Sequence, residues 1–392
     1  MVSLDEAGGN NCNNIRAYVS NYYENTNLKF LLLVGDFYDI TPHSRTTFSY
    51  SDNWFGLLEG DDFYEEVLVG RFSVESVQDV ETHVNKVIYY ERDMPAHSEW
   101  LYYGMAIASR DGEGYGHYGE SDKDHIVNIL RKYAGYSYWI FRQHYERFIL
   151  DGPYTEDIVN DFNDGIGLCN YCSHSSLFDY WPVGNFTSEQ VNALENDYMW
   201  PMIISVASKN GKFDESTPCF AEAWMRATNN NTHAPTGAIG GMFSFTGISC
   251  VPPQFGQDEM ADIFTEEKNL NLFNHTMGGY MLNGNQYILD MCPEDEGETH
   301  NTWFLFGDPS LMVRSDEAHE MDVTFYPKSP VVGMGELDIT LGWMWAPLNL
   351  EEKLHMFALH RLILKPLLPY RFLSRLLLWT IIPPLLPLQN SP

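Results

Sequence analysis

Two short stretches hold the residues best suited to nucleophilic chemistry. One is Gly165-Ile166-Gly167-Leu168-Cys169-Asn170-Tyr171-Cys172, which leads into Ser173-His174-Ser175-Ser176. The other is Trp200-Pro201-Met202-Ile203-Ile204-Ser205-Val206-Ala207, which leads into Ser208-Lys209-Asn210-Gly211. Each reads as an apolar strand followed by a turn. In open α/β sheets, chemistry collects just past the carboxyl ends of the strands. If the two strands are neighbours, His174 stands beside Ser208. An imidazole next to a hydroxyl is a base placed to take a nucleophile's proton. The plainer reading is a structural histidine at a strand end, and these residues alone do not choose. The G-x-S-x-G elbow of serine α/β-hydrolases is absent around Ser208.

The elements that would position this pair alternate between strand and helix. A helix over residues 15–27 precedes a strand from Phe30 to Val34. An acidic turn, Asp61 to Glu66, precedes the strand Val67-Leu68-Val69. Val77, Val80, Val84, Val87 and Ile88 then recur at helical spacing within Val74 to Tyr90. A second unit starts near Trp100. Its strands are Tyr103–Ala108 and Ser137–Phe141, the two stretches above, Thr236–Phe245 and Trp303–Phe306. Its helices are Asp122–Tyr133, Thr155–Asn163, Ser188–Asn196, Cys219–Ala227, Asp258–Lys268 and the Met277 region. Such alternation predicts a largely parallel sheet covered by helices. The Gly-rich loop from Asp111 to Gly119 lacks the order of a dinucleotide or P-loop motif, so it is not read as a phosphate site.

With 392 residues the chain can bury a large core and form two or three domains. Its net charge of −31 argues against nucleic acid as a partner, because phosphates are repelled. Of six cysteines, Cys169 and Cys172 make one C-x-x-C with neither a second pair nor a histidine at zinc spacing. They read as core thiols rather than a metal or redox site.

These stretches and their flanks resemble the gingipains, secreted bacterial cysteine endopeptidases of caspase-like fold. The likeness runs in fixed order over residues 15–315. It passes through Leu33-Val34-Gly35-Asp36, Glu66 to Ser73, Tyr89-Tyr90-Glu91-Arg92, Gly119-Glu120-Ser121-Asp122, Pro218-Cys219-Phe220-Ala221-Glu222-Ala223, Gly256-Gln257-Asp258-Glu259-Met260 and Phe306-Gly307-Asp308-Pro309-Ser310-Leu311. Several motifs in order are far more specific than one. The resemblance implies tandem caspase-like α/β/α subdomains with mostly parallel sheets. Residues 1–95 would be a truncated first subdomain and 96–315 the catalytic-type one. Residues 316–342 would start an Ig-like β-sandwich, of which only a remnant follows, and 343–392 would be an aberrant leucine-rich tail.

The resemblance also assigns roles, and it is there that the chain departs. The family's catalytic Cys follows a Val-Ala pair, and here Val206-Ala207 is followed by Ser208. The family's catalytic His lies between glycines, and here His174 lies between Ser173 and Ser175. A Trp beside the specificity pocket corresponds to Cys250. The acid that orients the His falls near Asp111, where the family carries Glu. Asp122 matches the pocket's basal Asp, which implies a polypeptide partner presenting Arg or Lys before the scissile bond. Its plainer reading is the helix cap at Ser121 or Asp122.

A hydroxyl ionises far less readily than a thiol and depends more on its base and oxyanion site. Ser175 keeps the backbone N–H of that site but adds a Cβ. Three readings follow: an inactive relative that binds peptides, a working Ser208–His174 hydrolase, or a cysteine peptidase altered at one position. Cys172 and Cys219 are read as structural, not as substitute nucleophiles. No cofactor is expected for catalysis. The family and the acidic loops imply structural calcium, with Asp36, Asp39, Asp61 and Asp62 as hard oxygen donors.

Met1 to Asn14 are polar and carry no signal-peptide core. With the resemblance this implies an internal or artificial start, while the family's secretion implies an extracellular setting. From Trp343 the composition turns leucine-rich, as a frame error or truncation would leave it. Leu376 to Pro392 is too short and too proline-broken to span a membrane. Membrane-surface association follows only if this tail is genuine, with Arg361, Lys365, Arg371 and Arg375 among its leucines.

Overall fold

The computed structural model describes residues 1–46, 49–112, 120–136, 140–146, 152–175, 179–249, 251–266 and 272–314. It also describes the backbone of strands 321–326, 338–343 and 375–380. Eight strands form the body of the sheet: β1 (Leu28–Val34), β2 (Leu68–Phe72), β3 (Tyr103–Ala108), β4 (Ile140–Tyr145), β5 (Leu168–Cys172), β6 (Met202–Val206), β7 (Gly240–Ser244) and β8 (Trp303–Phe306). Their order across the sheet is β1-β2-β8-β7-β6-β5-β3-β4. Every neighbouring pair is parallel except β7–β8. The α/β expectation for residues 160–310 therefore holds.

Helices cover both faces, and strand alternation decides which side chain meets which helix. Ala106, Cys172, Met202, Ile204 and Val206 face one core with α3 (Asp122–Tyr136), α7 (Val251–Phe264) and α8 (Met277–Met291). Met105, Ile107, Cys169, Tyr171 and Ile203 face the other, with α4 (Thr155–Asn163), α5 (Ser188–Asn192) and α6 (Phe220–Arg226). Cys169 and Cys172 thus lie on opposite faces, both buried and both free. Around β1 and β2 the layers repeat. Helix α1 (Cys12–Asn25) brings Ile15 and Val19 to one face, and α2 (Val77–Ile88) brings Val80 and Val87 to the other. Each large aliphatic side chain so buried contributes about 1.5–3 kcal/mol.

The two expected units share one sheet, because β8 from the end of the chain pairs with β2, Phe306 opposite Arg71. Gly70 permits that seam: a Cβ there would meet the Gly307 carbonyl at 2.4 Å and Pro309 Cδ at 2.7 Å. Lys86 ties α2 to α6 and to the approach of β7. Its Nζ donates to the carbonyls of Trp224 (3.3 Å), Met225 (2.9 Å) and Ala238 (3.0 Å).

Several boundaries differ from the sequence reading. Helix α1 starts earlier, because the Asn11 side chain accepts from the N–H groups of Asn13 and Asn14. Helix α2 starts at Val77 behind a Ser76–Asp79 capping box. Helix α7 begins at Val251, not Asp258. Pro252 and Pro253 fall in its first turn, where the missing N–H groups have no partner to lose. Strand β4 runs Ile140–Tyr145, later than read. In the leucine-rich tail, where no strand was read, Arg375–Thr380 pairs antiparallel with β1, and Val2–Ser3 pairs with it in turn. Met321–Tyr326 and Asp338–Trp343 form an antiparallel pair in the segment read as a sandwich start.

Candidate active site

Strands β5 and β6 are parallel neighbours, with Cys172 opposite Val206 at the end of the ladder. Ser173 N–H extends the pairing by donating to the Val206 carbonyl at 3.1 Å. His174 and Ser208 are each two residues past that last pair, so they leave the sheet at the same edge with equal offsets. Strand β3 pairs with β5 on the other side, and Asp111 lies three residues beyond its last residue, Ala108. Three adjacent strands thus deliver an acid, a histidine and a hydroxyl in that order across one end of the sheet.

The histidine and the acid are both open to solvent. His174 Nε2 lies 3.9 Å from Asp111 Oδ2, with their side chains 65% and 58% exposed. That separation is electrostatic contact rather than a hydrogen bond. Asp111 is itself held, with its N–H donating to Ser109 Oγ (3.2 Å) and its carbonyl accepting from Asp122 N–H (2.9 Å). The Ser208 hydroxyl faces the loop after β7. It accepts from Ile248 N–H at 3.2 Å and donates to the Ile248 carbonyl at 3.4 Å. Lys209 takes a positive φ of 65° and donates to the Thr246 carbonyl, so the turn after Ser208 is tied to the same loop.

Asp122 opens α3 but does not cap it. Ser121 does, its Oγ accepting from Asp124 N–H at 3.2 Å. The Asp122 side chain turns inward and is fully buried. One oxygen accepts from Ser109 Oγ at 2.6 Å and the other from Gln254 Nε2 at 3.0 Å. Burial pushes the Asp122 carboxyl above the usual aspartate range, while the Ser109 hydrogen bond, the nearby His174 and Cys172 pull it back.

The Ser175 side chain, the Cβ-bearing addition beside the expected oxyanion N–H, is buried and points into the protein. It donates to the Tyr180 carbonyl at 3.1 Å and accepts from Asn210 Nδ2 at 3.3 Å. Cys250, residues 113–119 and Ser176 lie outside the described residues. Cys219 is buried at the start of α6, and burial holds its thiol well above the ordinary range, as it does for Cys169. Sequence reasoning missed Ser109, Gln254 and Asn210. Asn210-Gly211 reads as turn chemistry, and nothing local in a sequence announces a long-range side-chain partner.

The α/β layers bring an acid, a histidine and a hydroxyl to one end of the sheet, residue types that nucleophilic catalysis uses. The chain belongs to the peptidase family C25, whose family model matches residues 2–314. It is 38% identical over 328 residues to gingipain R2 of Porphyromonas gingivalis, covering 82% of this chain and 43% of that protein. Against Lys-gingipain of the same organism the identity is 26% over 213 residues, covering 53% of this chain and 12% of that protein. The chain thus spans less than half the length of these relatives. The crystal structure of the Arg-specific cysteine proteinase gingipain R (RGPB) superposes with a TM-score of 0.75 at 36% identity, over 80% of this chain and 71% of that one. A complex of the P. gingivalis RgpB pro- and mature domains gives 0.78 at 36% identity, over 83% and 75%. The caspase-like fold implied by the motifs is therefore the fold of this chain.

Proposed function

We propose that this chain is the catalytic-type domain of an endopeptidase acting after Arg or Lys, with its cleavage weakened because a hydroxyl occupies the nucleophile position. His174 is the base, Asp111 its orienting acid, and Asp122 the carboxylate that receives the basic side chain. The single observation that carries the reading is the β5–β6 register, which gives His174 and Ser208 the same offset past one strand-end pair. A second reading, a peptide-binding relative without turnover, is favoured by the Ser208 hydroxyl's hydrogen bonds to Ile248 instead of a bound nucleophile's usual freedom. A fluorogenic Arg- and Lys-peptide assay separates the two. The relatives' names carry the Arg and Lys preferences, and the family resemblance supports an extracellular setting.

Binding at Asp122 has its own test. A guanidinium pairs with the ionised carboxylate, so Arg entry favours deprotonation and releases a proton. Burial raises this carboxyl's pKa, so binding is lost at a higher pH than for an ordinary aspartate. Affinity for an Arg-peptide, measured by calorimetry, is expected to fall as pH drops through the acidic range. Asp122→Asn is expected to weaken it by roughly 10- to 150-fold at neutral pH, the worth of one charge-assisted pair, and to flatten the pH dependence. Unchanged affinity in Asp122→Asn removes Asp122 from the pocket.

Structural calcium is a separate proposal, supported by the acidic turn after β1. There Asp36 Oδ1 accepts from Tyr38 and Asp39 N–H groups, and Asp39 Oδ2 lies 3.4 Å from Asp36 N. Among the described residues no three His, Cys, Asp or Glu side chains come together as a metal cluster. Backbone carbonyls would therefore have to complete the shell. A chelator is expected to lower the thermal midpoint, and an unchanged midpoint removes calcium.

A further inference from the structure

Between the loops that follow β5 and β6, the buried polar side chains form one hydrogen-bond chain with a fixed direction. Trp181 Nε1–H donates to Ser205 Oγ at 3.1 Å, and Ser205 Oγ–H donates to Asn210 Oδ1 at 3.3 Å. Asn210 Nδ2 donates to Ser175 Oγ at 3.3 Å and to the Tyr180 carbonyl at 3.1 Å. Ser175 Oγ–H donates to that same carbonyl at 3.1 Å. Trp181, Ser205 and Asn210 are fully buried and Ser175 nearly so. Every donor in the chain has an acceptor, and the Tyr180 carbonyl takes two of the bonds. A reversed Asn210 amide would set its oxygen against the Tyr180 carbonyl, so its orientation is fixed by its neighbours.

The chain ends are anchored. Tyr171 stacks on Trp181 with ring centroids 4.4 Å apart and donates from its hydroxyl to the His174 carbonyl at 3.4 Å. The Asn210 carbonyl accepts from Ala221 N–H, in the first turn of α6, at 2.9 Å.

We propose that Asn210, with Ser175 as its partner, is a positioning pair that holds the His174 loop against the Ser208 loop and so sets the separation of base and nucleophile. This rests on the His174–Ser208 pairing proposed above. The sheet ladder stops at Cys172 and Val206, apart from one further bond from Ser173. Beyond that point the spacing of the two loops has to come from side chains, and this chain bridges them. It also reverses the meaning of Ser175. The hydroxyl takes one Asn210 hydrogen in a buried site, so a glycine there strands a donor instead of opening an oxyanion site.

The test uses Ser208→Cys in the full chain and measures the rate of thiol alkylation by iodoacetamide against pH. The parent chain supplies the background from its six native cysteines. A thiol paired with an imidazole ionises well below an ordinary thiol, whose midpoint is about 8.5. Ser208→Cys is expected to react at low pH, and adding His174→Ala to abolish that. Adding Asn210→Ala or Ser175→Gly is expected to move the midpoint up by about one unit or more, roughly a tenfold loss of low-pH rate. If Asn210→Ala does not fold, Ser175→Ala, which removes a single hydroxyl, carries the test. A merely structural chain lowers the melting temperature and leaves the midpoint in place, and that result overturns the proposal. An ordinary thiol profile in Ser208→Cys itself, insensitive to His174→Ala, overturns the pairing first and the positioning role with it.

Discussion

Ser208→Cys is expected to raise hydrolysis of Arg- and Lys-peptides from near background to a readily measured rate. Adding His174→Ala is expected to take away about 10²- to 10⁴-fold of the gain, the usual worth of a general base. A hydroxyl must lose its proton during attack, and it gains little from a base that is only loosely oriented. Here the orienting contact is loose, because His174 and Asp111 are 3.9 Å apart and exposed. A thiolate needs much less help, since it forms easily beside an imidazole and is a strong nucleophile once formed. Asp122 already sits buried at the start of α3, with Ser109 and Gln254 fixing both carboxylate oxygens, so the carboxylate proposed above to receive the basic side chain is held in place before the substitution. The parent chain should also ignore thiol-alkylating inhibitors at Ser208. Cleavage of Arg-peptides by the unmodified chain, abolished by His174→Ala, would show that Ser208 is a true nucleophile and that the reading as a binding relative without turnover is wrong. A Ser208→Cys chain that binds Arg-peptides but never cleaves them favours the binding-module reading.

What the sequence made legible follows from how local each signal is. The apolar runs of β5 and β6 and the polar turns after them are local, so the strand ends carrying His174 and Ser208 could be read directly. Their adjacency was a conditional reading, and the parallel ladder from Leu168 opposite Met202 to Cys172 opposite Val206 fulfils it. The first turn of α7 was hidden because Pro252-Pro253 looks like a breaker, and only its position at a helix start makes it harmless. The joining of both units into one sheet depends on Phe306 meeting Arg71, residues far apart in the chain. Ser175 shows the same limit at the site. As a letter between histidine and serine it reads as a lost glycine. Only the structure gives it Asn210 and the Tyr180 carbonyl as partners.

Arg71→Met is expected to cost about 3–5 kcal/mol of stability, the penalty for leaving one charge of a buried pair alone. Arg71 is fully buried in β2, beside the seam with β8. Its Nε and Nη2 bind Asp52 at 2.6 and 2.7 Å in a two-pronged pair. Nη1 donates to the carbonyls of Gly35 (2.8 Å) and Asp36 (3.2 Å), and Nη2 to that of Ile40 (2.9 Å). One guanidinium therefore neutralises a buried carboxylate and ties down the loop after β1. Methionine fills much of the volume but leaves Asp52 charged and those carbonyls without their donor. Arg71→Met/Asp52→Leu is expected to recover part of the loss, since the unpaired charge goes while the carbonyls remain unsatisfied. Denaturant unfolding of both variants checks this, and a double variant no better than the single one would place the cost in the carbonyls instead. The effect should reach the candidate active site as well. The same loop carries Phe37, packed edge-on against Phe213 at 5.7 Å, and Tyr38, whose hydroxyl donates to the Asp214 carbonyl at 3.3 Å. Phe213 and Asp214 lie just past the Ser208 turn, and Arg71 also stacks its guanidinium over the Phe213 ring at 4.9 Å. In the Ser208→Cys background, Arg71→Met is therefore expected to lower cleavage even below its unfolding midpoint, because Arg71 supports Phe213, just past the Ser208 turn, both directly and through the loop after β1.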